Sequence, residues 1–234
     1  RDINSPNLNI APISSEISES EKLFVGGCQL SELAKKYGTP LYVLDELSLR
    51  TACKTYNYSL KKHYPGDSLP LYASKANSSL AICALIASEG FGLDAVSEGE
   101  LLTAIKGGVK GEKIVFHGNN KSYDELKFAY ANNVTIVLDN YHDIELLKTI
   151  ASEKKKVKLM LRFTPGIECH THEYIRTGHL DSKFGFDPDE VKPVLEELKK
   201  FEWATLTGLH AHIGSQIFEV QPHADLAGVM ADTL

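Results

Sequence analysis

Gly92-Leu93-Asp94-Ala95-Val96, then Glu98 to Lys106, then Lys113-Ile114-Val115-Phe116: a short apolar run, a stretch with helical spacing, and a second short apolar run. Apolar runs of this length suit strands buried on both faces, and the stretch between them is long enough for the helix that a parallel crossover requires. The same alternation extends in both directions. Upstream, Leu69 to Ala73 precedes a helical segment at Ser79 to Ser88. Downstream come Thr135 to Leu138, Val157 to Phe163 and Leu206 to Ile213, with helical segments at Ser122 to Asn132 and Pro188 to Lys200. Two earlier strands are expected at Leu23 to Val25 and Leu41 to Leu44, each followed by a helix. The series predicts an α/β fold with parallel strands: an open doubly wound sheet, or about six of the eight units of a (β/α)8 TIM-type barrel.

The strand ends favour the barrel. A polar or ionisable residue closes every strand of the regular part: Lys75, Asp94, His117, Asp139, Arg162 and His212. Barrel enzymes draw their chemistry from that rim, using several strands. An open sheet would gather it at one switch point. Residues 1–22, rich in Ser, Asn, Pro and Glu, read as a flexible N-terminal tail, 23–45 as a segment leading into the barrel, and 46–234 as the barrel itself. The chain opens on Arg1 and stops in mid-pattern at Leu234, so a fragment is expected, with two strands beyond it.

Composition excludes several classes. Hydrophobic residues make up 43% of the 234 and charged residues 24%, which gives a globular core instead of disorder. Lys and Arg number 25 against 31 Asp and Glu, and the densest basic run is Lys154-Lys155-Lys156, so nucleic acid is not expected as a partner. No apolar stretch approaches the ~18 residues of a membrane span, and no signal pattern opens the chain. Cys28, Cys53, Cys83 and Cys169 are scattered without zinc or redox spacing, which suits a reducing, cytoplasmic compartment.

Three motifs carry chemistry. Lys75, in Leu71-Tyr72-Ala73-Ser74-Lys75-Ala76-Asn77, ends an apolar strand. Its plain reading is a lysine that reaches out to solvent, and its sharper one a desolvated amine that forms a Schiff base. Asp94 interrupts the neighbouring strand and could hold a proton for that amine, whereas Glu98 and Glu100 also suit the first turn of a helix. His210-Ala211-His212 repeats at strand spacing, which suits a metal, and runs into Ile213-Gly214-Ser215-Gln216, a small-residue turn that equally suits phosphate. No carboxylate or histidine set completes a coordination sphere, and no metal is expected. The connection from Pro165 to Asp187 is long and rich in histidine and aromatic residues, as lids and substrate loops are.

Together, Pro40-Leu41-Tyr42-Val43-Leu44-Asp45, Tyr72-Ala73-Ser74-Lys75-Ala76-Asn77, Gly92 to Glu100, Phe116-His117-Gly118-Asn119-Asn120-Lys121 and His210 to Gln216 resemble the diaminopimelate decarboxylases. These are pyridoxal-phosphate-dependent enzymes of the alanine-racemase-like barrel class. His172-Glu173-Tyr174-Ile175-Arg176-Thr177-Gly178 with Ser182-Lys183-Phe184-Gly185 points to that family over the ornithine and arginine decarboxylases. The resemblance covers about Phe24 to the end. It implies that Lys75 binds pyridoxal 5'-phosphate covalently, that His212 stacks on its ring and that Ser215 binds its phosphate. It further implies a charged network of Asp94, Glu100 and Arg162 around the lysine, and a substrate loop containing His172 and Ile175.

The activity so implied is decarboxylation of meso-2,6-diaminopimelate to L-lysine and CO2. The complete protein would be a homodimer, cytoplasmic or, in a plant or alga, in the plastid stroma. A glycine-rich phosphate loop, the partner of the pyridinium nitrogen and a C-terminal β-domain would lie beyond Leu234, and the piece alone is expected to be inactive. The rival readings are a related ornithine or arginine decarboxylase, a pyridoxal-phosphate-binding barrel without catalysis, and a metal hydrolase using His210 and His212.

Overall fold

The structure, a computed structural model, describes residues 9–167 and 183–234. The chain forms two compact units, Arg1–Pro70 and Leu71–Leu234. In the first, β1 (Glu16–Ile17), β2 (Leu23–Val25) and β3 (Cys28–Gln29) form an antiparallel meander, followed by α1 (Leu30–Tyr37) and α2 (Glu46–His63). Gly26 and Gly27 both have positive φ, 58° and 75°, the geometry that lets a two-residue turn join twisted strands. Asp45 starts α2 by accepting the Ser48 N–H at 3.0 Å.

Two expectations for this unit are corrected. The stretch read as a tail contains β1, which pairs Glu16 with Phe24 and Ile17 with Leu23. A two-residue strand is too short to show a period. Leu41 to Leu44 is not a strand: it pairs with no strand among the described residues, and Tyr42 is 97% exposed. An apolar run suits a strand but does not supply its partner.

The second unit alternates throughout: β4 (Leu71–Ala73), α3 (Leu80–Ser88), β5 (Gly92–Ala95), α4 (Glu98–Lys106), β6 (Ile114–Phe116), α5 (Tyr123–Ala131), β7 (Thr135–Leu138), α6 (Tyr141–Ile150), β8 (Val157–Arg162), α7 (Val191–Leu198), β9 (Ala204–His210) and α8 (Gln221–Thr233). The six strands pair in parallel in the order β4-β5-β6-β7-β8-β9. A doubly wound sheet reverses its order at a switch point, and here there is no reversal. The sheet also curls. Six flat strands would put β4 and β9 about 24 Å apart. Yet the amine of Lys75, after β4, donates to the hydroxyl of Ser215, after β9, at 3.0 Å. This is the winding of a TIM-type barrel, the reading that the polar strand ends favour.

The core lies between sheet and helices. Thr135–Leu138 is buried at every position, which is why that strand reads as a continuous apolar run. Leu93, Ile114, Phe116 and Leu159 from the sheet meet Leu101, Leu126 and Leu147 from the helices, all at 0% exposure. Each such side chain contributes about 1.5–3 kcal/mol of transfer free energy. Ser97, Ser122 and Asn140 accept the N–H three residues on and so fix the starts of α4, α5 and α6. The turns between strand ends and helix starts are therefore short and set in place, and those turns carry the polar residues.

Candidate functional site

Ser74 to Ala76 form a single 3-10 turn after β4. The buried Ser74 hydroxyl pins that turn by donating to the Asp94 carbonyl at 2.8 Å. Lys75 then stands exposed on the rim. The burial expected from an apolar strand is absent, because the strand stops at Ala73.

β9 ends at His210, three residues earlier than expected. Beyond it the His212 ring accepts the Gly214 N–H on Nδ1 at 2.8 Å, which folds the chain into a turn and presents Ser215 to Lys75. Burial, then the nearby Lys75 side chain, push the His212 imidazole down to about 4. It is therefore neutral at pH 7, with its proton on Nε2 because Nδ1 accepts. His210 is pushed down to about 3 by burial and by Arg162, and its ring stacks on that of His117 at 5.4 Å.

Arg162 closes β8 and is 3% exposed. Its Nη1 donates to Asp139 Oδ1 at 3.3 Å, and its guanidinium lies 4.4 Å from the centre of the Phe184 ring. Phe184 reaches that place because Gly185, with φ of 76°, brings the returning chain against Arg162; a Cβ there would stand 3.1 Å from the Arg162 Cγ. The Phe186 N–H then donates to the Arg162 carbonyl at 2.9 Å.

These turns enclose a cleft of about 460 Å³ whose lining includes Lys75, His117, Lys121, Arg162, Phe184, His212 and Ser215. Four of the expected site residues, Lys75, Arg162, His212 and Ser215, therefore meet in one place. Asp94 sits behind the lining: its Oδ2 pairs with His117 Nε2 at 3.0 Å, and not with Lys75. Among the described residues no hydrogen bond or ion pair joins Glu100 to Lys75. Its Oε2 accepts the Val96 N–H at 2.7 Å, the helix-start role that was its plain reading. His172 and Ile175 lie outside the described residues. Sequence reasoning set His117 on the rim without giving it a role and did not place Lys121 or Phe184 in the site, although all three stand in motifs quoted above. Among the described residues no group of three or more His, Cys, Asp or Glu side chains could hold a metal ion, and no helix is long and apolar enough to cross a membrane.

The residues fit a phosphorylated aldehyde cofactor. An aldehyde needs an amine, and Lys75 Nζ faces the cleft beside a hydroxyl. A flat electron-poor ring needs a flat uncharged face, and His212 is neutral. A phosphate needs donors and positive charge, and the Ser215 hydroxyl, Lys121 and Arg162 line the same cleft.

A curled parallel α/β sheet carrying an amine, a neutral imidazole and anion-binding groups on its C-terminal rim defines a cofactor-binding domain of the barrel type. Comparison with known proteins agrees. Residues 48–230 match the family described as pyridoxal-dependent decarboxylase, pyridoxal binding domain. The diaminopimelate decarboxylase of Synechocystis is 50% identical over 97% of this chain and 50% of its own length. That of Bacillus methanolicus is 43% identical over 88% of this chain and 48% of its own length. A crystal structure of diaminopimelate decarboxylase from M. jannaschii in complex with L-lysine superposes with a TM-score of 0.85 at 31% identity, covering 94% of this chain and 52% of that one. The chain belongs to the pyridoxal-dependent decarboxylases, and it spans about half the length of the curated relatives it matches.

Proposed function

We propose that this chain forms the pyridoxal-phosphate site of an enzyme that decarboxylates meso-2,6-diaminopimelate to L-lysine and CO2, the last step of lysine biosynthesis. The observation that carries the reading is the Lys75 amine in the cleft, 3.0 Å from the Ser215 hydroxyl and beside the neutral His212 ring. The names of the relatives and the L-lysine in the M. jannaschii complex support the substrate. When bound, the cofactor supplies an aldehyde that captures amines and a ring that takes up the electron pair left by departing CO2.

The side chains do the rest. Lys75 Nζ would hold the cofactor and, once released, would carry a proton at the reacting carbon. His212 would offer its ring face to the cofactor and, being neutral, would add no charge to it. The Ser215 hydroxyl would donate to the phosphate. Arg162 and Lys121 bring cationic side chains to the cleft lining, each held there by a buried carboxylate, Asp139 and Asp143. Asp94 acts through His117, whose ring it orients.

The same reading carries assembly of the whole protein as a homodimer, a cytoplasmic location (plastid stroma in a plant or alga), and a barrel domain from residue 46, close to where the family match begins. The test is borohydride reduction of the full-length protein with cofactor, followed by peptide mapping. The label is expected on Lys75, with CO2 released from diaminopimelate but not from ornithine or arginine. Lys75→Ala should lose both the label and the activity while keeping its melting temperature. A label on another lysine of the wild type overturns the assignment.

A further inference from the structure

The cleft is lined by a second amine besides Lys75, that of Lys121, and the two are held in opposite ways. Lys75 is exposed and touches a neutral hydroxyl. The Lys121 side chain is 1% exposed, and its Nζ lies 2.7 Å from Oδ2 of Asp143, which is equally buried. Its remaining contact is donation to the Gly118 carbonyl. Asp143 is the third residue of α6, and Oδ2 also accepts the Asp139 N–H at 2.9 Å. Oδ1 meets no partner among the described residues, so Oδ2 carries both contacts. Two buried charges at this distance persist only as a pair; removing either partner leaves the other stranded.

Resting on the function proposed above, we infer that Asp143 holds Lys121 as a buried ammonium that anchors the 118–120 wall of the cleft and leaves Lys75 as the amine open to an aldehyde. The chemistry is elementary. An amine attacks an aldehyde carbon with its nitrogen lone pair, and a C=N bond replaces C=O as the oxygen leaves in water with both amine protons. An ammonium has no lone pair to give. Lys121 donates to the Gly118 carbonyl, and Gly118 to Asn120 line the cleft, so the same ion pair also sets that wall. Asp143 is thus a positioning residue that touches neither substrate nor cofactor.

The test uses labelling in the full-length protein, with wild type as the control that reports on the proposed function: if Lys75 takes no label there, that reading fails. In a Lys75→Ala background, borohydride with pyridoxal phosphate should label nothing at Lys121. Adding Asp143→Asn, which keeps the shape and the acceptor for the Asp139 N–H, should transfer the label to Lys121. A label on Lys121 with Asp143 intact, or none after Asp143→Asn in a protein that still melts cooperatively, overturns the inference. Should Asp143→Asn not fold, Lys121→Met decides. It removes the ammonium that anchors the wall, and cofactor affinity, followed by absorbance titration, should weaken on the order of tenfold. Unchanged affinity in Lys121→Met overturns the inference.

Discussion

Asp94 and His117 form one unit, with Oδ2 of the carboxylate 3.0 Å from Nε2 of the imidazole, in a place where the order of the sequence suggested a pair between Asp94 and Lys75. β5 and β6 are neighbours in parallel register, with Asp94 opposite Val115, so His117 falls two residues further along the same rim. The pair is partly buried: the side chains are 27% and 14% exposed for Asp94 and His117. A carboxylate acceptor fixes the His117 proton on Nε2 and the plane of the ring, which then packs on His210.

Removing that imidazole strands the carboxylate. His117→Ala should cost about 1–3 kcal/mol in urea unfolding, the range for leaving a buried acceptor without its partner. His117→Gln, whose amide nitrogen can stand near the Nε2 position, should recover at least half of that loss. Equal losses in the two variants would show that the ring matters for its volume and not for its bond to Asp94.

The two buried histidines make stability depend on pH. In the folded chain His210 and His212 bind protons only near 3 and 4, while an unfolded histidine does so near 6.5. Between those values the unfolded state holds more protons, so stability falls as pH drops below about 6.5. The share of His212 is complete near pH 4 and that of His210 near pH 3. Each contributes a slope of at most ~1.4 kcal/mol per pH unit. Urea midpoints at pH 7 and pH 5 should converge in His210→Gln relative to the wild type. An identical drop in both proteins would mean that His210 is not the group being titrated.

Gly185 is the hinge on which Phe184 reaches Arg162. Gly185→Ala places a Cβ 3.1 Å from both the side chain and the backbone oxygen of Arg162, at a φ of 76° that disfavours any side chain. Left-handed backbone alone costs about 1–2 kcal/mol for a residue with a Cβ. The urea midpoint should fall by at least that equivalent, and cofactor affinity should fall with it, because Arg162 must shift. Loss of stability with unchanged affinity would separate Phe184 and Arg162 from the cofactor.

How much of this was legible in the sequence depends on what each residue answers to. β7 could be read because burial on both faces leaves four consecutive apolar or small positions. Leu41 to Leu44 has the same look but lacks a partner strand among the described residues, and pairing is a tertiary fact that no local pattern contains. The carboxylates make the point more sharply. Glu100 and Asp143 both stand third in their helices, and both accept the N–H of the residue before the N-cap, Val96 and Asp139. In sequence they are equivalent helix-start charges. Only Asp143 meets a lysine, from a turn 22 residues upstream, and nothing in its own helix announces that meeting. Lys75, His212 and Ser215 were legible for the opposite reason: each is tied to a strand end, and alternation places strand ends on one rim.

His212 and His210 separate the ring's role from the fold's. His212 lines the cleft, beyond the end of β9, and is neutral; its Nδ1 is already committed to the Gly214 N–H. If it stacks on the cofactor, a flat apolar ring should replace it. His212→Phe should keep cofactor affinity within about threefold, while His212→Ala should lose about tenfold, since an aromatic pair contributes about 0.5–1.5 kcal/mol beyond the area it buries. His210 is the last residue of β9, opposite Arg162 in the sheet and packed on His117. His210→Ala should therefore lower the urea midpoint while moving affinity less than His212→Ala does. Affinity is read from the absorbance of bound cofactor and stability from unfolding of the apoprotein, so the two effects are measured independently. Should His212→Phe bind as weakly as His212→Ala, the imidazole nitrogens and not the ring face would be what the cofactor needs, and the stacking role would have to be abandoned.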